Sequence, residues 1–461
     1  MKKLLYLALP ATLLFSSCAN FVDGYEQSPN SPSQATLGLM LTSVEVATFS
    51  NYNGQLARLS SVMVQTQAGT QFQFEDIANY AIREGDNDNE WADIYSRAML
   101  NAKTIIEQAG TTSPHYAGVG KVLLAMNLGL ATDLWGDVPY TDALMGLEGE
   151  SAFNPAYDSQ ESVYAAIETL LTDAVADLAQ ANSLQSPSTD DLIFGGDLTK
   201  WTITAHVLAA RYANHLSKRD PAGSAQRALA HLNDAYAAGL ADPSSDCNAV
   251  FGTNGNELNT WYAFNQARED YVKMGATLVN FMSTINDPRL DEYAGTDDAG
   301  GISGTDLGTS NTTTSDIGAF FGTENSSLPM VTFVEAKFIE AEAALRANDA
   351  AAAAAAHNAA IIAHVNLVNG ASDPTYEAAQ ASETAATISL EKIMTHKWVA
   401  SFTQVESWTD WRRTGFPTLS PNPNVTLGGI PRRLPTPLTE RLYNTNAPDN
   451  SDILAPVWWD Q

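Results

Sequence analysis

The stretch from Phe333 to Val368 restricts the fold more than any other part of the chain. Glu335-Ala-Lys-Phe-Ile-Glu-Ala-Glu-Ala-Ala-Leu345 sets small Ala341, Ala343 and Ala344 beside Phe338, Ile339 and Leu345. That mixture makes a helix with a face that a second helix can approach closely. Arg346-Ala-Asn-Asp349 leaves room only for a tight turn, and Ala350 to Ala356 restarts a helix with the best helix-forming residue.

Helical spacing recurs along the chain. Leu37, Leu41 and Val44 to Val46 fall on it between Gln34 and Phe49, with Ser33 a plausible cap. Further helices are predicted over 89–109, 117–134, 162–181, 200–218, 224–238, 333–347, 350–368 and 386–404, with almost no convincing strand. Several come as pairs on tight turns. Pro221 to Gly239 repeats the 333–368 pattern less regularly, and the pair around 113–181 is interrupted by a long insert. Such pairs resemble tetratricopeptide units. The expectation is an all-α fold of four tetratricopeptide-like helix pairs packed against an irregular, loop-rich part. No long linker divides the chain, so 36–461 is read as one domain with loop-rich insertions at about 65–89, 242–328 and 412–461.

The first 35 residues read differently. Lys2-Lys3, the apolar run Leu4 to Phe15 and the small pair Ser16-Ser17 are the three parts of an export signal, too short to span a bilayer. Cys18 follows directly. A cysteine there resembles a bacterial lipoprotein signal, with residues 1–17 removed and the thiol lipidated, although Phe15 stands where leucine is usual. Residues 18–35, with Ser28-Pro29-Asn30-Ser31-Pro32, read as a flexible tether. No later stretch approaches ~20 consecutive apolar residues, so lipid is the expected anchor.

Charge and cysteine usage narrow the function. The chain has 24 basic against 53 acidic residues, a net charge of −29. A basic footprint for phosphate is missing, so nucleic acid is not an expected partner. Cys247 is the only cysteine besides Cys18, which rules out a disulfide framework or a cysteine-built zinc site.

Aromatic residues on polar loops are the candidate ligand groups. Phe72, Phe74 and Tyr80 lie in 65–89, Trp261 and Tyr262 in 242–267, and Phe320 in 294–328. Each ring either pins its loop to the scaffold or offers a platform on which the C–H face of a sugar stacks. Asn79, Asn259 and Asn265 are the candidate polar partners.

One family gathers these features. Asp133-Leu-Trp-Gly-Asp-Val-Pro-Tyr-Thr141, Asn154-Pro-Ala-Tyr-Asp158 with Val163-Tyr164, and Asn286-Asp-Pro-Arg-Leu290 come in order. After Phe333 to Ala344 follow Lys397-Trp-Val-Ala-Ser-Phe402, Glu406-Ser-Trp-Thr-Asp-Trp-Arg-Arg-Thr-Gly-Phe-Pro417, Ile430-Pro-Arg-Arg-Leu-Pro435 and Trp458-Trp459-Asp460. With Cys18 and its tether, this order resembles the SusD/RagB family of nutrient-binding outer-membrane lipoproteins. The resemblance implies a lipid-anchored protein on the surface of Bacteroidetes-type bacteria. It would capture glycan as the lid of a SusC-like TonB-dependent transporter, without catalysis and without a cofactor; some members are thought to deliver peptide instead. Binding residues vary with substrate in that family, so none is transferred by motif.

Rival readings have less support. His-Glu-x-x-His, Gly-x-Ser-x-Gly and phosphate-loop motifs are missing, and the seven histidines show no ligand spacing. A carboxylate pair for glycoside hydrolysis could be drawn anywhere in so acidic a chain. A tetratricopeptide scaffold binding a protein would keep the fold and change the role. Asp86-Asn-Asp-Asn-Glu90 faintly resembles a calcium loop but lacks its glycine, and it reads as the cap of a helix near Trp91. Trp408, Trp411, Arg412 and Arg413 are expected to be structural, with an arginine paired to Glu406 or Asp410.

Overall fold

A computed structural model describes residues 35–146, 149 and 153–461; Cys18 and most of its tether lie outside the described residues. Four helical hairpins form the scaffold. The first sets α1 (Leu37–Asn53) against a composite helix of Asp88–Ala92, a π-helical Asp93–Met99 and α4 (Leu100–Ala109). Between them lie α2 (Gln55–Met63) and α3 (Phe72–Ala78). The second pairs α5 (Pro114–Trp135) with α6 (Gln160–Leu178), the third α7 (Leu198–His215) with α8 (Pro221–Ala238). The fourth pairs α11 (Phe333–Arg346) with α12 (Ala350–Asn369), and each hairpin packs on the next in order.

Residue choice explains the packing. Ala341, Ala343 and Ala344 are all buried, which lets neighbouring helices approach α11. On α5, Gly129 performs the same service, since a Cβ there would stand 2.0 Å from the Tyr212 hydroxyl of α7. Helix α5 is apolar and long enough to cross a membrane, but nearly all of it is buried in the protein, where it is a core helix. One apolar cluster extends from Leu37 on α1 to Trp459 near the end of the chain.

All nine predicted helices are present, with shifted ends. The helix expected over 386–404 stops early: α13 spans Leu390–Ala400, and α14 (Glu406–Thr414) follows a break at which Thr403 takes φ +71°. The 242–328 insertion is partly helical as well: its longer helices are α9 (Thr260–Ala267) and α10 (Ala276–Thr284), with short turns at Pro243–Ser245, Leu290–Tyr293 and Ala319–Gly322. The expectation of almost no strand holds, the exceptions among the described residues being two short antiparallel ribbons. β1 (Gln67–Gly69) pairs with β3 (Val272–Met274), and β2 (Cys247–Ala249) with β4 (Leu328–Val331). Three- and four-residue strands are too short to show alternation in a sequence.

Charged groups tie α14 to the hairpins. Arg413 lies 2.7 Å from Asp410 and donates to Glu342 of α11 at 2.6 Å. Arg412 makes no such pair. It donates to the Asp133 carbonyl at 2.7 Å and lies over the rings of Trp408 and Trp459. The acidic run 86–90 meets its expected role only in part: Asp86 accepts the Arg83 N–H at 2.7 Å and caps the preceding 3-10 turn Glu84–Asn87, while the helix that carries Trp91 makes no side-chain cap at Asn87 and takes Asp88 and Glu90 into its first turn.

Candidate functional site

The β1·β3 ribbon, not a hairpin, carries the candidate site. Its register pairs Gln67 with Met274, Ala68 with Lys273 and Gly69 with Val272. Gly69 is required there, because a Cβ would stand 1.8 Å from the Phe74 carbonyl oxygen. Beyond the strand, the Thr70 N–H donates to the Tyr271 carbonyl at 3.0 Å, and the Thr70 hydroxyl donates to the Asp270 carbonyl. The chain then turns through Phe72 at φ +49°, a conformation a bulky residue seldom adopts.

That turn puts Phe72 outside and Phe74 inside. The Phe72 ring is 66% exposed and stacks on Tyr271, with centroids 4.9 Å apart and planes 25° apart. The Arg268 guanidinium lies 5.6 Å from the Tyr271 ring centre. Phe74 is fully buried, edge-on to Phe264 at 5.3 Å.

Beside the stack runs a cleft of about 340 Å³ lined by Tyr262, Asn265, Gln266, Glu269, Asp270 and Asp316. Lys273 of β3 ties two of its carboxylates together, with its ammonium 2.8 Å from Asp270 and 2.9 Å from Asp316. Burial opposes the charge on Lys273, but the two carboxylates outweigh it and raise its proton affinity. A narrower cleft of about 90 Å³ is lined by Gln65, Glu75, Asn79, Tyr80, Thr305 and Asn422 among others. Three distant loops knit together here. The Asn422 N–H donates to the Tyr80 hydroxyl at 3.0 Å, its side-chain amide donates to Asn79 at 3.1 Å, and the Ser310 hydroxyl donates to Glu75 at 3.0 Å. Burial also raises the Tyr80 phenol above its ordinary value.

Backbone strain concentrates on this face. Among the described residues, eight other than glycine have positive φ, and four of them, Gln65, Phe72, Tyr80 and Asp270, belong to the ribbon and its two clefts. Such conformations cost about 1–3 kcal/mol each and persist where surrounding structure holds them, often at ligand sites.

The residues singled out in the sequence divide. Phe72, Tyr262, Asn265 and Asn79 reach the stack or the clefts. Phe74, Trp261 and Asn259 do not: Phe74 and Trp261 are core residues. Asn259 is the buried cap of α9, accepting from the N–H groups of Trp261 at 2.8 Å and Tyr262 at 3.0 Å. Tyr80 has its ring buried and offers no stacking face. Phe320 lies edge-on to Phe321 and lines a different cavity, of about 240 Å³, with His364 and Leu367. Tyr271, Arg268 and Asn422 were passed over. The signal for the first two was the polar run Arg268-Glu-Asp-Tyr271, which continues the Trp261–Phe264 aromatic cluster; Asn422, in the 412–461 insertion, gave none.

The arrangement offers an apolar ring face beside amide, carboxylate and guanidinium groups, carried by loops on a rigid helical scaffold. This is the build of a binding protein. The chain belongs to the SusD-like family, described as starch-binding and associating with the outer membrane, whose profile matches residues 29–437. Solved structures share the fold. A chitin-binding protein is 24% identical with a TM-score of 0.77, covering 92% of this chain and 100% of its own. A SusD/RagB family protein from Bacteroides thetaiotaomicron is 23% identical with a TM-score of 0.77, covering 93% and 99%. A chitin-binding SusD homolog from Flavobacterium johnsoniae is 22% identical with a TM-score of 0.78, covering 92% and 97%. No curated protein sequence matches this chain.

Proposed function

We propose that this chain is a non-catalytic glycan receptor on the outer membrane, anchored through lipid on Cys18 and acting as the lid of a SusC-like TonB-dependent transporter. The exposed Phe72–Tyr271 stack carries the reading. A sugar's C–H face lies on such a ring while Arg268, Asn265, Gln266 and the carboxylates of the adjoining cleft satisfy its hydroxyls. The strained Phe72 backbone supports it too, since the scaffold holds this ring outward against local preference. The family's description and the chitin-binding relatives favour a polysaccharide of glucose or N-acetylglucosamine units. Capture at the surface would then pass the chain's ligand to the transporter, which supplies the energy.

Affinity electrophoresis through gels containing starch, β-glucan, soluble chitin derivatives, mannan or pectin tests the binding. The protein is expected to be retarded by one of them. Phe72→Ala and Tyr271→Ala should weaken that retardation about tenfold or more with the circular dichroism spectrum unchanged. Retardation by no glycan, together with tight binding of a peptide mixture, would replace the ligand class with peptide. Release of reducing ends by the purified protein would overturn the non-catalytic part.

A further inference from the structure

The seven histidines show no ligand spacing along the chain, yet folding places two of them together on the outside of the second and third hairpins. His206 stands on α7, while His231 and Asp234 stand three residues apart on α8 and so share one face of that helix. One ligand atom from each of the three lies within 4.8 Å of the others. The two imidazole centroids are 6.5 Å apart. Glu168 of α6 adds a fourth group, its carboxylate 3.1 Å from His231 Nε2. Both imidazoles are half-buried and Asp234 is exposed, so the cluster opens to solvent.

We propose that His206, His231 and Asp234 bind a zinc ion, with Glu168 paired to His231 beside it. Two imidazoles with carboxylate oxygens are a zinc donor set, whereas calcium and magnesium take oxygen ligands. Tetrahedral zinc with bonds of about 2.0–2.1 Å places neighbouring ligand atoms roughly 3.4 Å apart, so side-chain shifts of about 1 Å bring His206, His231 and Asp234 onto one ion. A zinc ligand must be neutral imidazole. Burial lowers the proton affinity of His206 against the pull of Asp234, in the direction that zinc binding requires. The ion would staple α7 to α8 within the third hairpin and, through Glu168, to the second. It lies on helices, away from the loop-built ribbon and its clefts.

Isothermal titration of the purified full-length chain with zinc chloride is the test. Millimolar calcium and magnesium are included to occupy the weak sites of so acidic a surface. One zinc equivalent is expected, with a thermal midpoint that rises on zinc addition. His206→Gln and His231→Gln should each weaken binding at least about tenfold and abolish the thermal response. Asp234→Asn, at an exposed position that leaves packing untouched, should weaken it as well. Failure to bind zinc, or unchanged binding in the His206→Gln/His231→Gln double variant, would overturn the proposal.

Discussion

Glu45 shows how far one residue can depart from its apparent place. It lies on α1 between Val44 and Val46, in a run whose spacing reads as apolar. The structure buries Glu45 completely and leaves Val46 51% exposed, because each helical step turns the face by about 100°. One Glu45 oxygen accepts the Leu192 N–H at 2.7 Å. Burial, and then Asp191 beside it, push the carboxyl up to about 10. In the unfolded chain that carboxyl ionises near 4.5. Its folded value is the higher one, so its contribution is intact below pH 4.5 and is lost progressively as pH climbs toward 10. At neutral pH the cost is roughly 3 kcal/mol. Glu45→Gln keeps an acceptor for Leu192 and should therefore melt higher at neutral pH, with a flatter dependence of the midpoint on pH. A lower midpoint with the wild-type slope would mean that the carboxyl is charged in the fold. The same limit on reading single residues applies at the site: Phe72 and Phe74 are equivalent in a sequence, and only the backbone angle at Phe72 sends one ring out and the other in.

Among elements, α14 shows which contacts a sequence reveals. The pairing of Arg413 with Asp410 is a three-residue helical spacing and was legible. Its second partner, Glu342, is 71 residues away on α11 and left no local mark. Burial works against the charge on Glu342, but Arg413 and then Arg346 outweigh it and hold the carboxyl down at about 2. Arg413→Ala would leave Glu342 and Asp410 buried with less compensation, a loss of about 3 kcal/mol in urea unfolding. Arg413→Lys should recover little of it, since one ammonium cannot reproduce the fork that spans both carboxylates. A change below about 1 kcal/mol would show that α14 is held by its tryptophans instead. Helices were legible because their apolar period persists over ten residues or more. β1 and β3 were not, since each is three residues long and finds its partner about 200 residues away.

At the scale of the molecule, the scaffold and the family were legible together: hairpins repeat, and ordered motifs run through nearly the whole chain. The candidate face was only half legible, since it depends on how residues near 70, 265, 310 and 422 meet. Attachment to the membrane belongs to this scale too. If Cys18 carries the anchor, Cys18→Ala expressed without a transporter partner should move from the membrane fraction to the soluble fraction while keeping the folded spectrum. Continued fractionation with membranes would contradict a lipid anchor. The β1·β3 ribbon has one more consequence, in time rather than in space. Each hairpin closes over short sequence distances and can form as soon as its own residues are available, whereas the ribbon must wait for residue 272 and the Tyr80 contact for residue 422. A chain emerging residue by residue therefore completes its first three hairpins before the ribbon can close, adds the fourth after it, and finishes the Tyr80 cleft only when residue 422 has followed.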